Sequence, residues 1–312
     1  MHNTTDKSPH IPVLRQAVLE SFSRTLPGHI IDCTLGYAGH SSALLAQFDH
    51  LSIVGIDRDQ EALSFSEQRL EPYTGRYTLY RGSFAQTLPK IKETPIVGIL
   101  ADFGVSSLQL DKKERGFSFE SDTLDMRMDQ EAPLTAYDVV NSYTQEKLSY
   151  IFKHYGEISQ AEKLAEAIIQ ARTKTPIASG KTLSDIARKV LYSGGKIHPA
   201  TLMFQAIRIE VNDELGQIEG LLDALETRKP SGAIVSLITF HSLEDRLVKN
   251  RFKTWAQHCI CDPNALRCTC GKNHSLGKVL TKKPIIADKE ELAQNPRSRS
   301  AKLRSFHFKK SC

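Results

Sequence analysis

The organisation of this chain is set by Ile30-Ile-Asp-Cys-Thr-Leu-Gly-Tyr-Ala-Gly-His-Ser41, in which a short apolar run leads through two glycines into a helical pattern. Glycines in such a turn let a ligand approach the backbone, and the helix N-terminus offers unpaired N–H groups. The combination is typical of a nucleotide-type cofactor site. Gly36 and Gly39 form only part of a Gly-x-Gly-x-x-Gly fingerprint, so two ordinary turns of an α/β protein are the alternative.

A second apolar run, Leu51 to Ile56, ends in an acid that strengthens the cofactor interpretation. Asp57 follows Gly36 by 21 residues. Nucleotide-binding α/β folds place a carboxylate at about this point, where it accepts hydrogen bonds from ribose hydroxyls. The alternative is that Asp57 caps the next helix.

Strand-like and helix-like patterns alternate in the first third of the chain. The predicted strands are 29–35, 51–57, 77–83 and 96–102, separated by helical patterns. Alternation implies a parallel sheet, and nearly continuous apolar runs imply that both of its faces are covered. The pattern therefore predicts the α/β class.

The alternation stops after the fourth strand. Residues 105–200 contain helical patterns at 145–173 and 182–192 and no convincing strand. One long helix, with an apolar stripe from Phe204 to Leu225, and a strand at 232–240 follow, and two short β-like runs lie near 278–282 and 301–309. We therefore predict a sheet domain of residues 1–104 and 201–312 with an inserted helical domain of residues 105–200.

The charge and hydropathy of the chain limit the kinds of partner that it is expected to bind. No apolar run approaches membrane-spanning length and the first ten residues are polar, so we expect a cytoplasmic protein without a membrane partner. The net charge is +5, but residues 272–312 carry eleven Lys/Arg against three Asp/Glu, so the other 271 residues sum to −3. This basic segment suits a polyanionic partner, although a solvated tail is the commoner explanation of a charge run.

Ligands of open α/β sheets bind outside the carboxyl ends of the strands. The residues expected there are Gly36 to His40, Asp57, Ser83-Phe84, Asp102 to Ser107 and His241 to Arg246. Acids would bind ribose hydroxyls, and an aromatic wall would hold a base. Each residue also has a structural alternative, since Phe84 could belong to the core and His241 could be a turn residue.

Four of the six cysteines are clustered as Cys259-Ile-Cys261 and Cys268-Thr-Cys270. Four thiols this close could form a tetrahedral zinc site, but the Cys-x-Cys spacing differs from the Cys-x2-Cys of zinc ribbons. Disulfides are not expected in a cytoplasmic chain. Zinc binding and free thiols both stay open, and we assign no metal ligand from the sequence.

Several longer motifs resemble one family, the ribosomal RNA small subunit methyltransferase H or MraW family. The resemblance covers nearly the whole chain and rests on His10 to Leu14, Asp32 to Ser41, Gly55 to Asp59, Asp102 to Asp111, Arg115 to Phe119, Leu124 to Asp129, His198 to Thr201, Phe204 to Ile209, Phe240 to Arg246 and Asn295 to Ser300. It implies a Rossmann-like class I methyltransferase sheet. The implied reaction is methyl transfer from S-adenosylmethionine to the N4 amine of a cytidine in the decoding region of 16S ribosomal RNA.

The resemblance also assigns roles to individual residues. It places S-adenosylmethionine against Ala38, Gly39, His40, Asp57, Phe84, Asp102 and Gln109. Two positions depart from the family pattern, because Ala38 replaces a usual glycine and Leu202 replaces a common arginine. The 16S ribosomal RNA, or the small ribosomal subunit, is the implied partner.

Asp102 is the catalytic candidate, since a carboxylate beside the amine would accept one of its hydrogens; the alternative is that it fixes the amino-acid end of the cofactor. Arg127, His241 and Arg246 are candidates for contact with the RNA. The competing functions are a nicotinamide-dependent oxidoreductase, a methyltransferase for DNA or a small molecule, and a non-catalytic RNA-binding scaffold. The oligomeric state stays open, with a homodimer as one option.

Overall fold

The computed structural model describes residues 11–105, 109–110, 112–191, 198, 200–262, 264–265 and 267–310. These residues form two compact units, a sheet unit and a helical unit. The sheet unit runs to Gly104 and resumes at Gln217, and the helical unit is Val105–Gly216. The parts of the motifs that fall on residues 10, 106–108, 111 and 199 lie outside the described residues.

The sheet unit is built on seven strands in the order β3-β2-β1-β4-β5-β7-β6. β1 to β5 run parallel, and β7 is antiparallel to both β5 and β6. The α/β class is therefore confirmed, as are the two β-like runs near the end of the chain. The strands are β1 (Gly28–Asp32), β2 (Leu51–Asp57), β3 (Tyr77–Arg81), β4 (Ile96–Asp102), β5 (Ile234–Thr239), β6 (Gly277–Val279) and β7 (Lys302–Phe308).

Both faces of the sheet are covered, as the apolar runs predict. Neighbouring residues of one strand enter different cores, since Ile30 packs with the cluster that contains α1 and α2, and Ile31 packs with the cluster that contains α11. The helices of this unit are α1 (Arg15–Phe22), α2 (Gly39–Gln47), α3 (Gln60–Leu70), α4 (Phe84–Thr87), α11 (Ser242–Trp255) and α12 (Lys289–Gln294).

The helical unit has its own apolar core, to which Phe117 of the Arg115-to-Phe119 motif and Met126 of the Leu124-to-Asp129 motif contribute. No strand lies among its described residues. Its helices are α5 (Ala136–Ser142), α6 (Gln145–His154), α7 (Ala161–Arg172), α8 (Gly180–Val190) and α9 (Ala200–Asn212), and α10 (Glu214–Arg228) begins in it.

The prediction of one helix from Phe204 to Leu225 is wrong. Asp213 has a left-handed backbone (φ 49°) and separates α9 from α10. The side chain of Asn212 stabilises this break, because it accepts from the Met128 N–H (2.8 Å) and donates to the Met126 carbonyl (2.8 Å). α9 therefore packs within the helical unit, and the second domain boundary lies at Gly216 rather than at residue 200.

The single helical pattern at 145–173 is likewise two helices, and the short helix α5 was not predicted. Across the described ranges, no helix is both long enough and apolar enough to cross a membrane.

Candidate active site

Asp32, the last residue of β1, is buried and fixes the start of α2. Its carboxylate accepts from the Ser41 hydroxyl (2.6 Å) in the first turn of α2 and from the Thr34 N–H (3.3 Å). Burial raises the pKa of Asp32, and the bond from Ser41 opposes that effect. Asp32 was not among the predicted site residues. An acid that ends a strand just before a glycine turn was the available signal.

The turn between β1 and α2 contains two left-handed residues, Gly36 (φ 52°) and Ala38 (φ 54°). Glycine adopts this conformation freely, whereas the Cβ of Ala38 costs about 1–2 kcal/mol. The Ala38 N–H donates to the Leu35 carbonyl (2.8 Å). Next to it, Gly39 begins α2, and a Cβ there would lie 3.3 Å from Pro12. The turn thus brings the N-terminus of α2 to the end of β1.

Asp57 ends β2 and binds the same turn. Its Oδ2 accepts from the Gly36 N–H (2.7 Å) and its Oδ1 from the Asp59 N–H (2.9 Å). Burial raises the pKa of Asp57 to about 6, although both hydrogen bonds lower it. Each carboxylate oxygen retains a lone pair, so Asp57 can still accept from ligand hydroxyls.

Asp102 ends β4, beside β1 in the sheet. Its N–H donates to the Thr34 hydroxyl (2.6 Å), and its Oδ1 accepts from the Gly104 N–H (3.1 Å). Its Oδ2 lies 3.7 Å from Nε2 of His40, which is beyond hydrogen-bonding distance. Asp102 therefore has one fixed oxygen and one oxygen that faces an imidazole. Asp32, Asp57 and Asp102, together with the β1–α2 turn, are called the cofactor edge below.

Two side chains near this edge have buried polar atoms without partners. Both ring nitrogens of His40 lack a hydrogen bond from any described residue, although its side chain is only 9% exposed. The Ser83 hydroxyl, which follows β3, is in the same condition. Buried polar atoms are nearly always paired, so these atoms are available to hydrogen-bond with a bound group.

Apolar residues follow β3, β4 and β5. Phe84 and Phe103 are buried, with ring centroids 6.0 Å apart. Phe84 therefore belongs to the core, as its structural alternative held, while it also lies next to Ser83 at the end of β3. A Cβ at Gly104 would lie 2.6 Å from the Phe240 ring, so glycine at this position allows that ring to approach the turn after Asp102.

The remaining predicted residues lie at α11 or in the helical unit. His241 is the N-cap of α11, its side chain is 7% exposed, and its Nε2 lies 3.1 Å from the buried Glu244 carboxylate. Arg246 is exposed on α11. In the helical unit, Arg127 forms a bidentate pair with Asp125 (2.8 and 2.9 Å). Gln109, also in the helical unit, is buried.

A mixed sheet with five parallel strands, a glycine turn and acids at the carboxyl ends of those strands is typical of α/β proteins that bind a nucleotide-type cofactor. Comparison with known proteins defines the family. Residues 7–309 match the MraW methylase family, and the chain belongs to it. The predicted family is therefore confirmed.

Three relatives, each called ribosomal RNA small subunit methyltransferase H, match almost end to end. The protein from Sulfurovum sp. (strain NBC37-1) is 68% identical over 303 residues, 97% of this chain and 99% of the relative. The Nitratiruptor sp. protein is 59% identical over 303 residues and the Wolinella succinogenes protein 55% over 304, with the same coverage. The chain is a methyltransferase with S-adenosylmethionine as methyl donor. The oxidoreductase alternative is wrong.

Proposed function

We propose that this protein transfers a methyl group from S-adenosylmethionine to the N4 amine of a cytidine in the decoding region of 16S ribosomal RNA. The names of its relatives support a ribosomal RNA substrate. The observation that carries the choice of an amine is Asp102, whose Oδ1 accepts from the Gly104 N–H and whose Oδ2 lies 3.7 Å from Nε2 of His40. An exocyclic amine can donate one hydrogen to such an acceptor as its nitrogen attacks.

The cofactor edge supplies groups that fit S-adenosylmethionine. Asp57 would accept from the ribose hydroxyls, Phe84 would border the base, and the turn from Ala38 to His40 would approach the amino-acid end. When bound, S-adenosylmethionine supplies an electrophilic methyl group on a sulfonium.

Asp102 would overcome the weak nucleophilicity of the cytosine amine, whose lone pair is conjugated into the ring. By accepting one N–H hydrogen, the carboxylate favours a more tetrahedral nitrogen and orients its lone pair. S-adenosylmethionine would supply the methyl group to this nitrogen, and the Asp102 carboxylate would take the surplus proton of the amine. His40, 3.7 Å away, would stabilise the charge of Asp102 before transfer.

The substrate base must leave its stack to reach a methyl donor at a sheet edge. Arg127 is committed to Asp125 and to the Ala132 carbonyl (2.8 Å), so we propose that it shapes an RNA-facing loop. His241 would act through the start of α11, on which Arg246 is exposed. In the basic segment Arg304 is bound to Asp245 and buried, whereas Lys282, Lys283 and most of the other cations are exposed and suit phosphate contact.

The test is methyl transfer by Asp102→Ala and Asp102→Asn. Each should reduce the rate by about 10²–10⁴-fold, the usual contribution of a positioned proton acceptor. Labelled transfer to small ribosomal subunits from cells that lack this protein gives the rate, and mass spectrometry of the digested RNA identifies the nucleoside. Asp49→Asn is the matched control, because Asp49 is fully exposed and lies outside the edge.

Near-normal transfer by both Asp102 variants would contradict the role of that carboxylate. A methyl group on any position other than cytidine N4 would contradict the proposed reaction even if Asp102 proved essential.

A further inference from the structure

The segment 256–276, called the cysteine loop here, joins α11 to β6. Its described residues contain no helix or strand, and most of their side chains are exposed, including Ile260 at 62%. Connections of this length without secondary structure are uncommon in compact domains. The loop nevertheless has defined ends, since the Leu276 N–H donates to the Trp255 carbonyl (2.7 Å) and the His274 N–H to the His258 carbonyl (3.1 Å). Something other than apolar packing must hold the part between them.

The four cysteines of the loop meet at one point. The Sγ atoms of Cys259, Cys268 and Cys270 are each 3.6 Å from the other two, an equilateral triangle. The Sγ of Cys261 completes the group, with all four atoms within 4.8 Å of one another. The fifth described cysteine, Cys33, is buried in the sheet unit and lies outside this group.

These distances match the coordination of one metal ion. A tetrahedral zinc ion with Zn–S bonds of about 2.3 Å places its sulfurs about 3.8 Å apart. A disulfide requires about 2.05 Å, so the 3.6 Å separations do not correspond to bonded pairs. Four sulfur ligands in a tetrahedron favour zinc among the common biological ions and leave no position open for a substrate.

Backbone geometry around the sulfurs agrees with this coordination. The Thr269 N–H donates to the Cys261 Sγ at 3.4 Å. After Cys270 the chain turns through two left-handed residues, Gly271 (φ 78°) and Lys272 (φ 54°), and the Cys270 carbonyl lies 2.7 Å from Nε2 of His274. Such surrounding hydrogen bonds orient metal ligands and neutralise part of their charge.

We propose that Cys259, Cys261, Cys268 and Cys270 bind one structural zinc ion, which holds the cysteine loop together in place of an apolar core. The site does not depend on the proposed RNA chemistry. The ion replaces four thiol protons, and the closed sulfur tetrahedron gives it no catalytic function. Its effect is to fix the positions of the exposed cations Arg267 and Lys272.

The experiment measures metal in the full-length protein. Zinc is determined by elemental mass spectrometry after dialysis of wild type, the double variant Cys259→Ser/Cys270→Ser, and the control Asp49→Asn, whose side chain is fully exposed and lies outside both the cysteine loop and the cofactor edge. We expect one zinc per chain in wild type and control, and roughly tenfold less or lower in the double variant, which keeps only two sulfur ligands. Binding of S-adenosylhomocysteine reports whether each variant remains folded.

A second measurement uses wild-type protein only and therefore tests the proposal even if the double variant does not fold. Wild-type protein is stripped with a chelator and reloaded with cobalt, which should produce thiolate-to-cobalt charge-transfer absorption. The four loop thiols should react with a thiol reagent only in the stripped form. Wild type that is purified metal-free with four freely reactive thiols, or with these cysteines as disulfides, would overturn the proposal, as would zinc that persists in a folded double variant.

Discussion

The cofactor edge and the cysteine loop both concentrate reactive side chains, but they are ordered by different means. At the edge, each acid lies at the end of a strand and is held by neighbouring N–H or hydroxyl groups, as Asp57 is by the Gly36 N–H (2.7 Å). In the loop, the sulfurs contact mainly one another, and few surrounding side chains are buried. The cofactor edge is therefore ordered by the sheet before any ligand binds, whereas the cysteine loop depends on its proposed zinc ion for its structure.

This difference leads to opposite expectations for mutation. A substitution at the cofactor edge should change ligand binding and leave the surrounding strands in place, because the sheet hydrogen bonds and two apolar cores remain. A substitution in the cysteine loop should change local order and leave the cofactor untouched.

Loss of the Asp57 charge should have the largest effect on binding. In Asp57→Asn, ribose hydroxyls lose an ionised acceptor, and one of the two backbone donors faces an amide NH₂ group. We expect the Kd for S-adenosylhomocysteine to rise about 10–100-fold near pH 7.5, the usual worth of hydrogen bonds to a charged group. Isothermal titration calorimetry measures it, with Asp49→Asn as the control. An unchanged Kd would show that Asp57 only shapes the turn.

The pH dependence of the same binding tests the ionised form. Because burial raises the pKa of Asp57 to about 6, its carboxylate is charged above that pH and becomes protonated below it. Affinity in wild type should therefore be complete above pH 6 and fall as the pH drops through 6, by about tenfold per pH unit. The Kd of Asp57→Asn should stay flat across this interval. Equal slopes for both proteins would assign the effect to another group.

Removal of loop thiols should give a smaller and strictly local effect. In Cys259→Ser/Cys270→Ser, trypsin should cleave after Arg267 or Lys272 roughly tenfold faster, because an opened segment is the preferred site of proteolysis. The thermal shift caused by S-adenosylhomocysteine should match that of wild type. Cleavage at the wild-type rate would mean that the loop is ordered without its sulfurs, and a lost thermal shift would mean that the two regions are not independent.

The smallest effect is expected at Ala38. Ala38→Gly relieves about 1–2 kcal/mol of left-handed strain. It also removes a buried methyl group worth about 0.8 kcal/mol and raises the conformational entropy of the unfolded chain, and both of these effects destabilise the folded state. The net change in the free energy of unfolding should stay within about 0.5 kcal/mol. Ala43→Gly, inside the right-handed part of α2, should instead destabilise by about 1–2 kcal/mol. Equal losses at both positions, measured by denaturant titration, would argue against strain at Ala38.

Strand boundaries could be predicted where an apolar run ends in an acid. β2 and β4 begin and end at the predicted residues, because Asp57 and Asp102 end their apolar runs. β1 is shorter than predicted, since it ends at Asp32 and the apolar residues after it belong to the turn. Sequence patterns report burial, and here buried residues continue beyond the strand.

Other features depend on contacts between distant residues. The break at Asp213 is stabilised by hydrogen bonds between Asn212 and the backbone of Met126 and Met128, which are far away in the chain. The apolar stripe continues across the break, so the sequence pattern alone predicted a single helix. The role of Asp32 depends on Ser41 and on burial under a folded turn. Cysteine spacing indicated four neighbouring thiols, but only the loop conformation shows that their sulfurs meet.

The position of β7 bears on how the protein assembles during synthesis. β7 pairs with β5 and β6, and the Leu14 N–H near the start of the described chain donates to Glu291 (2.6 Å), so the sheet unit needs segments that leave the ribosome late. The helical unit is continuous in sequence and is complete long before them. We therefore expect the helical unit to fold first, while β1 to β5 stay incompletely paired until β7 has been synthesised.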